Sequence, residues 1–319
     1  MFKSLVYGIL MFFSLCFMAH ATDEISQTLI DQKILDLPIT LTSGQTVTLG
    51  HYKGNKPVYL KFWASYCQPC FKQMPHLQQT FQKYGDKVEV IAVNLGLNDN
   101  EKSVALIQKK FGLKMPIAID KSGELTKAFN LVGTPFHVLL DKNSNVAYEE
   151  FGEPTGLDNA IKLVAEGHTF RAPQLTPSNT ISAINLDSFK EKPTALFFVA
   201  TWCDWYLKNS RPAMSKSCVT AQQQVNKLAV EYPQINWVGV VTRLWTEEKD
   251  VVEYKNKFDV HHSLTIDNTN AVYLEYGVKD IPTLIFIDKG KEVFRTKHIN
   301  ALETSAQLKK LAKSAHVSG

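Results

Sequence analysis

Val58-Tyr59-Leu60-Lys61-Phe62-Trp63-Ala64-Ser65-Tyr66-Cys67-Gln68-Pro69-Cys70 is an apolar run that ends in two cysteines spaced by two residues. Its aromatic and β-branched content reads as a buried strand, so the cysteines fall where that strand gives way to a helix. The unsatisfied backbone N–H groups and the dipole at a helix start favour an anion, and the first thiol ionises more readily there than a free cysteine. The second sulfur, one turn further in, can attack a mixed disulfide formed on the first. Cys67 is therefore the candidate nucleophile and Cys70 the resolving thiol. A C-x-x-C also serves as half of a zinc site or as a plain staple. No second C-x-x-C or H-x-x-x-H lies within the usual distance, and His51, His76 and His137 are scattered. The pattern points to redox chemistry, with neither metal nor cofactor.

Outward from this stretch the chain repeats itself. Trp63-Ala64-Ser65-Tyr66-Cys67 returns 136 residues later as Val199-Ala200-Thr201-Trp202-Cys203. Ile119-Asp120, Thr134-Pro135 and Asp141-Lys142 return as Ile266-Asp267, Ile281-Pro282 and Asp288-Lys289, now at an offset of 147. Each copy reads as a strand before the cysteine (Val58 to Trp63; Ala195 to Val199), a helix, and a second strand (Val88 to Asn94; Asn236 to Val241). Another helix and a proline turn follow, and then a hairpin that opens at Phe136 to Leu140 or Thr283 to Ile287. Strands separated by helices predict an α/β fold, a mixed central sheet covered on both faces. In such a fold a cis proline can face the cysteines without adding an N–H near the sulfurs, while the backbone before it pairs with an extended substrate. Thr134 and Pro135 are the candidates in the first copy, Ile281 and Pro282 in the second.

The 319 residues are 45% hydrophobic and 21% charged, which excludes a disordered or fibrous chain and suggests two domains. Lys and Arg outnumber Asp and Glu by 35 to 31, an excess too slight and dispersed to argue for nucleic acid or anionic lipid. The N-terminus carries Lys3, an apolar stretch from Leu5 to Met18 and then Ala19-His20-Ala21, a secretory signal peptide cleaved after Ala21. Removing residues 1–21 discards Cys16, leaves no membrane-spanning segment, and leaves four cysteines where disulfides persist. The organisation expected is signal 1–21, leader 22–34 in extended form, first domain 35–168, linker 169–178 and second domain 179–319.

In the second copy Tyr206 stands where the resolving cysteine belongs. Cys70 lies 14 residues before Tyr84, and Cys218 lies 14 before the matching Tyr232, so Cys218 is the resolving partner of Cys203, displaced by a 12-residue insertion. A helix is expected from Val219 to Tyr232, with the insert as a loop or short helix over the site, because Pro212 breaks a continuous helix. A floppy insert costs roughly 1 kcal/mol more in loop closure than a two-residue gap. Whether the pair is a second redox pair or a structural disulfide stays open. Trp205 and Tyr206 are read as packed aromatics, and His261 and His262 as exposed loop histidines.

Gly44-Gln45-Thr46-Val47-Thr48-Leu49, Lys56 to Ala64, Met74-Pro75 and Gly133-Thr134-Pro135 together resemble the thioredoxin-like reductases of the TlpA and ResA type, over about residues 35–165. The resemblance implies two tandem thioredoxin-like domains and disulfide exchange in extracytoplasmic proteins, here the periplasm of a Gram-negative bacterium. It implies client proteins bearing disulfides or thiols as partners, and a membrane electron donor of the DsbD or CcdA kind. An oxidase or isomerase of the same fold, or a client-binding module, are the competing readings. Three residues stand out as modulators. Gln73 replaces a glutamate of ResA-like members, and Trp63 precedes the site. Lys61 stands where thioredoxin has an acid: its ammonium either reaches the sulfurs and favours the thiolate, or sits in water at the end of a packed stem.

Overall fold

The computed structural model describes residues 32–170, 184–189 and 191–315. The expected signal peptide, nearly all of the expected leader and most of the expected linker lie outside them. Residues 32–34, the described end of the expected leader, form with Leu35 a helical turn rather than extended chain.

The first domain opens with a small hairpin, β1 (Ile39–Thr40) and β2 (Thr46–Val47). It continues through β3 (Val58–Trp63), α1 (Gln68–Tyr84), β4 (Glu89–Asn94), α2 (Glu101–Phe111) and β5 (Ile117–Ile119). Helix α3 (Glu124–Ala128), β6 (Phe136–Leu140), β7 (Val146–Phe151) and α4 (Leu157–Ala165) complete it. Its sheet runs β5-β4-β3-β6-β7, with β3, β4 and β5 parallel and β6 and β7 antiparallel to their neighbours. The second domain repeats the plan with β8 (Thr194–Val199), α5 (Cys203–Tyr206), α6 (Pro212–Glu231), β9 (Asn236–Thr242), α7 (Glu248–Phe258) and β10 (Ser263–Asp267). Helix α8 (Ala271–Glu275), β11 (Thr283–Asp288), β12 (Lys291–Thr296) and α9 (Leu302–Ala315) follow, in the sheet order β10-β9-β8-β11-β12. Among the described residues no helix is long and apolar enough to cross a membrane.

Every residue of β3 and of β8 is buried, as befits central strands with both faces covered. Alternation divides β8 between two cores. Ala195, Phe197 and Val199 join Val225, Leu228 and Leu308 in a cluster of the second domain, whereas Leu196, Phe198 and Trp202 belong to a cluster continuous with the first domain. The latter cluster, closed over Phe198 by Tyr273 of α8, reaches the first domain where Trp202 meets Tyr66.

Helix α6 begins at Pro212, where a missing N–H costs no intrahelical bond. The helix expected from Val219 is therefore longer, and Cys218 sits in its second turn rather than before it. Periodicity does not disclose β5, α3 or α8, because three to five residues are too few to show a period.

The two short helices have the same cap. Asp120 accepts from Thr126 N and Oγ1, each at 2.7 Å, and from Gly123 N at 3.1 Å. Asp267 accepts from Ala271, Val272 and Tyr273 N at 3.0, 2.9 and 2.9 Å and is wholly buried. Asp267→Ala leaves three backbone donors at the helix start without a side-chain acceptor, and is expected to lower unfolding free energy by about 2–3 kcal/mol in urea titration. Asp267→Asn, which keeps one acceptor oxygen, should recover part of the loss.

Candidate functional site

Strand β3 ends at Trp63 and α1 starts at Gln68, so Cys67 is the residue that caps the helix. Its sulfur accepts the Cys70 N–H at 3.2 Å, and Pro69 fills a first-turn position. Cys67 and Cys70 are joined as a disulfide. Both are buried, at 1% and 0% exposure. The pairing of Phe62 with Phe136 puts Thr134 and Pro135 at the same end of the sheet as Cys67, and the Thr134-Pro135 bond is cis. Pro135 O accepts from Gly152 N at 2.8 Å, while the buried Thr134 hydroxyl has no partner among the described residues.

A polar chain runs beneath the cysteines. Lys61 is 1% exposed and its ammonium donates to Gln73 Oε1, one helical turn past Cys70. Gln73 Nε2 donates to Gly152 O at 3.1 Å and Glu153 Oε2 at 3.3 Å. The Lys61 head therefore lies in the protein and not in water, against the packed-stem reading. Burial pulls its pKa down to about 7, opposed by the charge of Glu153. Opposite it in the sheet register, His137 is held down to about 3 by burial and by Lys61, and pairs with Tyr59 Oη at 2.7 Å. Trp63 is fully buried, its indole N–H unpartnered among the described residues.

The second site is built alike but differently linked. Cys203 lies in the single turn of α5, and its sulfur is bonded to Cys218 on α6 across 15 residues, both side chains buried. Ile281-Pro282 is also cis, brought to the Cys203 end of the sheet by the pairing of Thr283 with Phe198. His262 is buried, with Nε2 at 3.2 Å from Gln222 Nε2, so that of this pair His261 alone is an exposed loop histidine. Trp205 is 60% exposed rather than packed.

The two sites face one another. Tyr66 and Trp202, the residues before the two leading cysteines, stack at 5.8 Å, and Trp245 meets both edge-on. Gln68 N donates to Tyr206 Oη at 3.1 Å. From the insertion, Arg211 donates to Asn98 O at 2.8 Å, pairs with the buried Asp99 at 2.9 Å and lies 4.8 Å over the Tyr66 ring. The loops after β4 and β9 complete the contact. Trp245 N donates to Val132 O at 2.7 Å and its indole N–H to Thr134 O at 3.1 Å. Asn98 N donates to Lys279 O at 2.6 Å, and Asn98 Oδ1 accepts from Ile281 N at 2.9 Å. Asn98 and Trp245 stand 147 residues apart, as do Val132 and Lys279, so the repeat relates the interface to itself. Sequence reasoning missed Asn98, Asp99, Arg211 and Trp245. The 147 offset links Asn98 to Trp245, but nothing about either residue type marks a contact.

Known proteins resemble this chain as follows. The Redoxin family matches residues 27–163. Thiol-disulfide oxidoreductase ResA of Bacillus thuringiensis subsp. konkukian (strain 97-27) is 38% identical over 118 residues, 37% of this chain and 66% of that protein, so the chain spans just under two thirds of that relative. Thioredoxin-like protein YneN of Bacillus subtilis (strain 168) is 32% identical over 133 residues, 41% of this chain and 77% of that one. The crystal structure of StoA from Bacillus subtilis, 28% identical, superposes with a TM-score of 0.35 over 39% of this chain and 92% of its own.

The depressed Lys61 pKa has a measurable consequence. Between about pH 7 and pH 10.5 the unfolded chain holds a proton on Lys61 that the folded chain has released, so this residue makes stability rise with pH across that window. Below pH 7 both states are charged and the burial penalty is complete. Lys61→Met should remove this rise, a difference on the order of a few kcal/mol between the two proteins, read from denaturant midpoints at a series of pH values.

Proposed function

The chain belongs to the thioredoxin-fold family of the TlpA and ResA type, and on that footing we propose that it is a protein-disulfide reductase working outside the cytoplasm through Cys67. The observation that carries this reading is the seat of Cys67 at the N-terminus of α1, its sulfur receiving the Cys70 N–H, beside the Thr134-Pro135 turn. On reduction, the helix start stabilises a thiolate at Cys67. That thiolate attacks one sulfur of a client disulfide. A mixed disulfide forms and the other client sulfur leaves as a thiolate that takes a proton. Cys70, deprotonated, then attacks Cys67, releasing the client as a dithiol and leaving the Cys67–Cys70 disulfide. Two electrons must return from an external thiol donor, for which a membrane protein of the DsbD or CcdA kind is the partner in this reading. The apolar N-terminal stretch ahead of Ala19-His20-Ala21 supports export.

The second domain acts here as a module docked on the first, with a structural disulfide. Its disulfide closes the loop from Cys203 to Cys218, which carries both Tyr206 and Arg211 to the first domain. That favours a clamp on the docking loop over a second exchange site.

Cys67→Ala should abolish turnover of a disulfide-bonded client, and Cys70→Ala should accumulate a mixed disulfide visible by non-reducing electrophoresis. The double variant Cys203→Ser, Cys218→Ser tests the second domain. Retained turnover with a thermal midpoint lowered by a staple of about 3 kcal/mol fits the clamp. Lost turnover at unchanged stability would instead make this pair a relay.

A further inference from the structure

The carbonyls of Val132 and Thr134 flank Gly133 just ahead of Pro135. Trp245 takes both, one with its backbone N–H at 2.7 Å and one with its indole N–H at 3.1 Å. An extended polypeptide docking beside Cys67 pairs through the same kind of backbone group. The indole ring also uses the space that a side chain at Gly133 would occupy: a Cβ there would stand 2.7 Å from Trp245 Cδ1 and Nε1. Trp245 holds φ at 52°, a left-handed conformation that a bulky residue keeps only when its surroundings impose it. Beside it, Tyr206 meets Gln68 and Trp202 covers Tyr66, and Cys67 is 1% exposed.

We propose that Trp245 is a stand-in for the client, filling the docking groove of the first domain, and that clients reach Cys67 by displacing it. This rests on the reading of Cys67 as the exchanging thiol. The groove then also sets client preference: it fits an extended segment with an N–H donor for each carbonyl and a flat aromatic side chain over Gly133. Asn98 does the reciprocal task, its N–H on Lys279 O and its Oδ1 on Ile281 N, so loosening either loop loosens the whole contact.

The test is the rate at which iodoacetamide alkylates Cys67 in the reduced, full-length protein, followed by mass spectrometry. Asn98→Gly keeps the left-handed backbone but deletes one hydrogen bond, and should raise the rate about fivefold. Trp245→Ala removes the indole donor and the ring packing and should raise it roughly tenfold or more. Should Trp245→Ala fail to fold, Asn98→Gly carries the test from the other side of the interface. Rates equal to wild type in folded variants, judged by circular dichroism, overturn the proposal. In the Asn98→Gly protein, a disulfide peptide with tryptophan beside its cysteine should also exchange faster than its alanine counterpart, and equal rates overturn the aromatic preference. Alkylation reports access rather than exchange. Faster alkylation without turnover of any client therefore keeps the stand-in and removes the reductase, whereas turnover with unchanged alkylation keeps the reductase and removes the stand-in.

Discussion

Two backbone hydrogen bonds, Trp245 N to Val132 O and Asn98 N to Lys279 O, fix how the halves of this chain meet. Each comes from a loop that follows a second strand, and each lands just before a cis proline of the other half. Because the loops are equivalent in the repeat, the contact is self-complementary in the manner of a twofold dimer built within one chain. The stacking of Tyr66 on Trp202 belongs to the same contact. The apolar cluster on the Leu196 and Phe198 face of β8, covered within its own domain by Val272 and Tyr273, is continuous across the interface with that of the first domain, where Trp202 meets Tyr66.

Departures from symmetry are where the halves differ in chemistry. The first pair sits within one helical turn, and the second spans an insertion whose ends are tied by Cys203 and Cys218. That insertion supplies Arg211, whose guanidinium meets a carboxylate with no exposure to solvent. A buried charge pair of this kind is costly to break from one side, so the insertion is well suited to holding a fixed register between the domains. Lys61 adds a second asymmetry: Leu60-Lys61-Phe62 has its counterpart in Leu196-Phe197-Phe198, and the central strand of the second domain carries no charge.

Much of each domain was readable. Continuous apolar runs gave the central strands with bounds within a residue, since strands buried on both faces tolerate little else. The proline positions and the pairing of Cys203 with Cys218 followed from counting within the repeat. The start of α6 did not: Pro212 reads equally as a breaker inside an insertion and as the first residue of a helix, and packing against α5 selected the second. The seat of the Lys61 ammonium was also undetermined by type, because a lysine stem packs equally well whether its head ends in water or on a buried glutamine.

Spacing and periodicity by themselves therefore determined two mixed sheets, the cysteine at a helix start and the proline opposite it, because each depends on residues close in sequence or related by the repeat. The tertiary structure alone decided that the two sites face each other. Asn98, Arg211 and Trp245 act across separations of more than a hundred residues, each joining a side-chain amide, guanidinium or indole to a backbone group of a kind that every position offers. Only the geometry of the docked domains gives those groups their partners.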